Sequence, residues 1–222
     1  KQRKSLLNYR QELKHSFPFK RRECVLLLFR TQKRKTMPHS TLQVMGILNT
    51  TDDSFYAASR VNDQHELLRR AERMLEQGAS ILDIGGCSTR PGCTVADAET
   101  EMRRVVPAVE ALSRHFPTVE ISVDTFRSEV AEKTLEAGAT MINDISGGDF
   151  DPQMFPLVAR HGAGYVLMHT RGLPDQMIHR TEYSDLVAQV YDHLARRVER
   201  LRALGVSRIV VDPGFGFAKD VR

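Results

Sequence analysis

Six residues of this chain carry side chains that bind or ionise, and all six occupy the same kind of place. Asn49, Asp83, Asp124, Asn143, His169 and Asp212 each stand at the end of a short apolar run. Asp124 and Asp212 offer carboxylates, and Asn143 supplies both a donor and an acceptor. A ligand read by two carboxylates and an amide is flat and rich in N–H donors, as an aminopyrimidinone or a purine is. Any one strand-end Asp or Asn serves equally well as a cap for the next helix. Six together exceed what capping explains. His169 reads as a satisfied structural histidine ahead of a base or a ligand.

A second chemical feature follows the run that ends at Asp83. Gly85 and Gly86 lead into Ser88-Thr89-Arg90-Pro91-Gly92, which sets hydroxyls and a guanidinium among small residues. Glycine permits close backbone approach and proline removes freedom after Arg90. Such a loop presents polar groups to a ligand, although a tight strand-to-helix turn accounts for the stretch equally well when it is taken alone.

The elements that hold these residues repeat. An amphipathic helix, a glycine, one or two small residues and an apolar strand recur at Leu75–Asp83, Leu135–Asn143, Val158–His169 and Leu204–Asp212. The glycine falls where a helix C-cap is expected. The strands show no alternation of apolar and polar residues, which suits parallel strands buried on both faces. Leu42–Asn49 and Val119–Asp124 complete a set of six strands. Helices are predicted over Asn62–Gln77 with Asn62 as N-cap, over Ala96–His115 with a kink or break at Pro107, and over Tyr183–Ala203. The stripe Leu186, Val190, Leu194, Val198, Leu201 of the last helix is expected in the core. Alternating βα units give a parallel α/β sheet. An open sheet binding a dinucleotide would want GxGxxG after its first strand, and Asn49-Thr-Thr-Asp-Asp does not supply it. A (β/α)8 TIM barrel brings strand-end residues to one mouth, so the fold expected is α/β, a barrel with about six βα units present.

Composition sets limits. The chain has 222 residues, 41% of them hydrophobic and 27% charged, as in globular proteins with a sizeable core. Residues 1–40 hold twelve Lys and Arg against two acids, leaving 20 against 26 in residues 41–222. The basic character therefore belongs to an N-terminal extension, with a short helix expected at Ser5–Lys14, and not to the body. A basic tail can contact nucleic acid or anionic membrane, but the body has no basic stripe, and a solvated or foreign extension is the favoured reading. Cys24, Cys87 and Cys93 fit neither a metal motif nor an even disulfide framework, which makes a reducing cytoplasm the expected location. Cys24–Phe29 is the longest apolar run and is far too short to span a bilayer.

Five ordered segments now carry a resemblance. Met45-Gly-Ile-Leu-Asn-Thr-Thr-Asp-Asp-Ser-Phe55, Asp83-Ile-Gly-Gly-Cys-Ser-Thr-Arg-Pro-Gly92, Ser122-Val-Asp-Thr125, Ile142-Asn-Asp144 and Asp212-Pro-Gly-Phe-Gly-Phe-Ala-Lys219 closely resemble the signatures of the dihydropteroate synthase family, in the same order. The resemblance implies a pterin-binding TIM barrel that joins 6-hydroxymethyl-7,8-dihydropterin diphosphate to p-aminobenzoate and releases pyrophosphate, a step of folate biosynthesis. It implies that Asp124, Asn143 and Asp212 bind the pterin, with Asp83 in the same mouth and Met168 beside the ring. Asn49 would serve Mg²⁺ on the pyrophosphate side, and residues 50–61 would be the family's first loop. Thr89, Arg90 and Pro91 would belong to the loop that orders around p-aminobenzoate, with Phe217 packing on the same substrate. No protein nucleophile or acid–base pair is demanded. The family commonly dimerises and is the sulfonamide target, so a homodimer is implied for the full-length protein.

The chain departs from the family pattern in places. Cys87 stands where Glu is usual and Asp52 where Pro is usual, and Tyr56-Ala-Ala-Ser-Arg60 replaces the usual Asp-Gly-Gly. The family's strand-seven lysine and strand-eight Arg-x-His are not present, so these 222 residues are expected to fold poorly or to be inactive alone. A methyltetrahydrofolate methyltransferase domain shares the barrel and pocket but lacks the Ser-Thr-Arg-Pro-Gly loop. A pterin-binding relative without turnover is the remaining alternative.

Overall fold

The structure, a computed structural model, describes residues 24–27, 42–50, 60–87, 96–172 and 176–220. Six parallel strands follow chain order: β2 (Gln43–Asn49), β3 (Ile81–Gly85), β4 (Glu120–Asp124), β5 (Met141–Asp144), β6 (Gly164–Met168) and β7 (Ile209–Asp212). Each pairs with the next. Helices α1 (Arg60–Glu76), α2 (Ala98–His115), α3 (Ser128–Glu136), α4 (Met154–His161) and α5 (Leu186–Ala203) alternate with them, and a 3-10 turn occupies Met177–His179. This is the βα alternation of a TIM barrel, six units of it, as the sequence predicts. One strand was not foreseen. β1 (Cys24–Leu27), inside the basic extension, pairs antiparallel with β2, Cys24 opposite Gly46 and Leu27 opposite Gln43. The helix expected at Ser5–Lys14 lies outside the described residues.

Side chains of these strands separate into two apolar layers. Leu48, Leu82, Ile84, Ile121, Val123, Ile142 and Leu167 face outward and pack with Leu67, Ala71 and Met74 of α1, Val105, Val109 and Leu112 of α2, and Leu157 and Val158 of α4. Their neighbours along each strand face inward. Met45, Ile81, Met141, Val166 and Val210 form a separate cluster on that inner side. Two apolar faces explain why the strands read as continuous apolar runs. Each fully buried Leu, Ile or Val contributes about 1.5–3 kcal/mol.

The helix ends are set locally. Asp97 caps α2 by accepting from Thr100 N at 2.7 Å, and Asp185 caps α5 by accepting from Ala188 N at 3.0 Å. The glycines expected after helices, Gly78, Gly138, Gly162 and Gly205, all have positive φ. Three expectations need correction. α1 begins at Arg60, so Asn62 lies within it and is not its cap. Of the kink or break expected at Pro107, the break does not occur, since α2 continues through it; a proline removes one helical hydrogen bond, and the burial of Val105, Val109 and Leu112 on either side outweighs that loss. The α5 stripe joins the core over its C-terminal half, where Leu201 is fully buried and Leu194 and Val198 pack partly buried against the same cluster, but Leu186 is 38% exposed. α5 packs against β6 and β7, at the margin of the described sheet. Among the described residues no helix is long and apolar enough to cross a membrane.

Candidate functional site

Strand register puts most of the predicted residues in rows. Asn49 is aligned with Gly85, Gly85 with Asp124, and Asp124 with Asn143. Aligned residues of parallel strands face the same way, so these line one inner row at the strands' C-terminal ends. Asp83, two residues before Gly85, faces the same side one step lower, aligned with Ser122. The inner apolar cluster borders these residues: Ile81 lies one step below Asp83, Met141 is aligned with Ser122, and Val166 is aligned with Asn143. The site is thus a polar patch edged by apolar side chains.

Within it, Asn143 Nδ2 donates to Asp83 Oδ2 at 3.0 Å. This leaves the amide oxygen of Asn143 to face a ligand donor. Asp83 is buried, and its carboxyl is raised above the ordinary range chiefly by burial, with Ser122 and Asn143 opposing the shift. Asp124 is raised well above that range, first by burial and then by the nearby charges of Asp83, Glu101 and Asp144. Its Oδ1 is buried without a hydrogen-bond partner among the described residues. Buried acceptors are normally satisfied. An unsatisfied carboxylate oxygen beside a second carboxyl points to a ligand that brings N–H donors.

The other wall comes from β6 and β7. Met168 is aligned with Asp212. Met168 packs with Phe126 and Ile145, and Phe150 and Phe217 lie against the same cluster. Asp212 Oδ1 accepts from Gly214 N at 2.7 Å, which bends the chain sharply after β7. Phe217 is thereby returned to Met168. Met168 and Phe217, which the resemblance assigns to the pterin and to p-aminobenzoate, thus meet in one apolar cluster.

His169 does not join this row. It follows Met168 and so turns to the opposite face, where its ring meets His193 of α5 at 4.6 Å and Lys219 Nζ lies 2.9 Å from its Nδ1. Burial lowers its pKa to about 4, with the neighbouring Lys219 charge adding to the effect. The expectation that six strand-end residues share one mouth is corrected on this point: five face it and His169 is scaffold. Thr89, Arg90 and Pro91, like Asp52, lie outside the described residues.

The ends of the loop that holds Thr89 are described. Cys87 is buried, and its Sγ accepts from Ala96 N at 3.2 Å. Burial pushes its thiol up. Arg127 donates to Ala96 O at 2.6 Å and pairs with the buried Glu101 of α2. Sequence reasoning missed this pair. Its signal was an acid on the stripe Glu101, Val105, Val109, Leu112, where an unpaired charge would be costly. Asp144 was quoted within its segment without a role. Its carboxylate accepts from Ser146 N at 2.7 Å, Gly148 N at 2.9 Å and Tyr165 Oη at 2.5 Å. Those bonds shape the loop that carries Ile145.

Carboxylates and an amide on the C-terminal rim of a parallel barrel, walled by a methionine and a phenylalanine, define a small-molecule site of the TIM-barrel kind. The chain belongs to the family of pterin-binding enzymes, which matches residues 45–222. It is 43% identical to the dihydropteroate synthase of Synechocystis sp. over 178 residues, covering 79% of this chain and 61% of that one. Among solved structures, it resembles the Yersinia pestis dihydropteroate synthase with a sulfonamide drug complex, with a TM-score of 0.71 and 41% identity, over 79% of this chain and 64% of that one. It also resembles the Burkholderia cenocepacia dihydropteroate synthase complexed with 7,8-dihydropteroate, with a TM-score of 0.68 and 43% identity, over 80% of this chain and 60% of that one. The chain therefore spans about three fifths of the length of these relatives.

Proposed function

We propose that this chain forms the pterin-binding part of a dihydropteroate synthase, the enzyme that condenses 6-hydroxymethyl-7,8-dihydropterin diphosphate with p-aminobenzoate. The observation that carries the reading is the Asp83–Asn143–Asp124 layer, buried at Asp83 and half-buried at Asn143 and Asp124, with its unsatisfied Asp124 oxygen. The 2-amino-4-oxo edge of a pterin presents N–H donors to carboxylates and a carbonyl to a donor. Asp124, Asp212 and Asn143 offer the matching groups, and Met168 gives the ring a soft apolar contact. Dihydropteroate, bound by the Burkholderia relative, is a pterin joined to a p-aminobenzoyl group. Phe217, in contact with the Met168 cluster, lies where the second ring would follow the first.

Two carboxyls beside the ring suit the chemistry. As the diphosphate leaves, positive charge spreads into the pterin. Fixed negative groups in a water-poor site stabilise that charge. The amine of p-aminobenzoate then attacks the exocyclic carbon, so no side chain has to act as nucleophile.

Mg²⁺ on the leaving group is part of this reading. A cation of that type takes one or two protein oxygens and fills its shell with phosphate and water. Asn49 is exposed at the end of β2, and its Oδ1 lies 3.3 Å from the place a Cβ on Gly85 would occupy, so a bare glycine leaves that oxygen open to the site. Asn49 therefore fits as a single protein ligand of an ion carried mainly by the diphosphate. When bound, the ion would neutralise charge developing on pyrophosphate.

Titration of the purified chain with 6-hydroxymethylpterin, followed by ligand fluorescence, tests the reading. Saturable binding that falls at least tenfold in Asp124→Asn and Asn143→Ala supports it. Equal binding by wild type and both variants would sink it.

A further inference from the structure

The segment after β7 crosses directly over the end of β6. Gly214 has φ +68, and a Cβ there would lie 2.1 Å from the carbonyl oxygen of His169. The segment then turns back through Gly216 and Ala218, both at positive φ. It is neither helix nor strand, so its carbonyls have no ladder to join. Phe217 N donates to Gly214 O at 3.0 Å, and one side chain reaches this carbonyl and two others. Lys219 Nζ donates to Gly214 O at 3.1 Å, Phe217 O at 2.9 Å and His169 O at 3.2 Å, and it lies 2.9 Å from His169 Nδ1. Tyr183 Oη satisfies the next carbonyl, Ala218 O, at 2.9 Å.

Resting on the pterin reading above, we infer that Lys219 is a positioning residue for the site: its ammonium clamps the segment after β7 onto β6 and so fixes Asp212 and Phe217 against the ligand. The clamp joins both walls, because the oxygens it gathers belong to His169, next to Met168, and to Gly214 and Phe217, on either side of the turn. Asp212 is held at the other end of the same turn by its own bond to Gly214 N. Loss of the ammonium takes that donor from His169 O and Phe217 O and leaves Gly214 O with Phe217 N alone, beside two positive-φ glycines, and the turn then samples other shapes.

Burial lowers the pKa of Lys219 to about 8, with Asp212 opposing the shift and Arg171 adding to it, so the cost of holding the ammonium there offsets part of what its hydrogen bonds contribute to folding.

The test is Lys219→Met, which keeps length and bulk but removes the charge and donors. Hydrogen exchange at the Gly214 and Phe217 amides is expected to quicken at least tenfold. The dissociation constant for 6-hydroxymethylpterin is expected to rise at least tenfold, while the chain stays folded. Wild-type exchange rates in the variant would overturn the inference. So would loosened amides with unchanged pterin affinity, and so would a variant that fails to fold. If the wild type itself binds no pterin, the functional reading fails separately and amide exchange still decides whether Lys219 clamps the turn.

Discussion

Asn143 Nδ2 and Asp83 Oδ2 meet at 3.0 Å across β4, the strand that carries Asp124 between them. The amide thus holds one oxygen of Asp83, while the other oxygen of Asp83 and Oδ1 of Asp124 are buried without a hydrogen-bond partner among the described residues. Burial raises both acids and each makes the other harder to ionise. A carboxyl raised in the folded state binds its proton more tightly folded than unfolded. Its contribution is therefore fully present below the unfolded value and lost as pH rises through the folded one. Asp124→Asn removes that loss. The variant is expected to gain stability relative to wild type as pH rises from 5 to 8, read from urea denaturation midpoints at both values.

The same pair links binding to protons. Pterin N–H donors favour ionised Asp124, whose carboxyl burial raises, so binding is expected to release a proton at pH values where the free carboxyl is still protonated. Calorimetric titration in two buffers of different ionisation enthalpy measures it. Asp124→Asn should bind more weakly and show a smaller buffer dependence; a buffer-independent heat in the wild type contradicts the expectation.

Tyr165 is fully buried, and its hydroxyl is one of the three donors to Asp144. Removing it leaves the carboxylate with two backbone N–H groups and one donor short. Tyr165→Phe is expected to lower stability by about 1–3 kcal/mol, the range for a buried bond to a charged group. Chemical denaturation measures the loss, and an unchanged midpoint would show that the Asp144 turn does not depend on that hydroxyl.

Cys87 is 4% exposed, and burial pushes its thiol up. Thiolate is the reactive form. At pH 7.5 iodoacetamide is expected to modify Cys87 at least tenfold more slowly in the native chain than in 6 M urea, as read by peptide mass spectrometry. Fast native labelling would mean that the contact with Ala96 N opens readily.

Gly86 packs so closely on α2 that a Cβ would lie 2.6 Å from Val105 Cγ1 and 3.1 Å from Glu101 O. Gly86→Ala is expected to cost about 1–3 kcal/mol of stability, as overpacking of a core does, and thermal melting follows it.

The sequence disclosed the parts that depend on local pattern. Apolar runs ending in Asn49, Asp83, Asp124, Asn143 and Asp212 gave the strands, and parallel register then forces those residues into rows. His169 was misplaced because one residue of strand length decides its face: β6 ends at Met168, and alternation sends the next side chain outward. β1 escaped notice because the short apolar run Cys24–Phe29 has no periodicity to separate strand from anything else. Glu101, Arg127 and Lys219 were silent for another reason. Their roles come from partners 26 and 50 residues away, at Arg127 and His169, and no window along the chain contains both ends.

Met168 and His169 sit side by side on the chain yet face different compartments, one the Phe126–Ile145 cluster of the candidate site and the other the α5 scaffold. Substitutions there can be judged one at a time, but insertions cannot. Adding or deleting one residue between Gly164 and Met168 would exchange the two faces of β6, turning a basic ring into the pocket and a thioether into the place opposite Lys219. The family's tolerance of change at this site is therefore one of spelling and not of length. Any alignment of relatives should show no gaps across this five-residue strand.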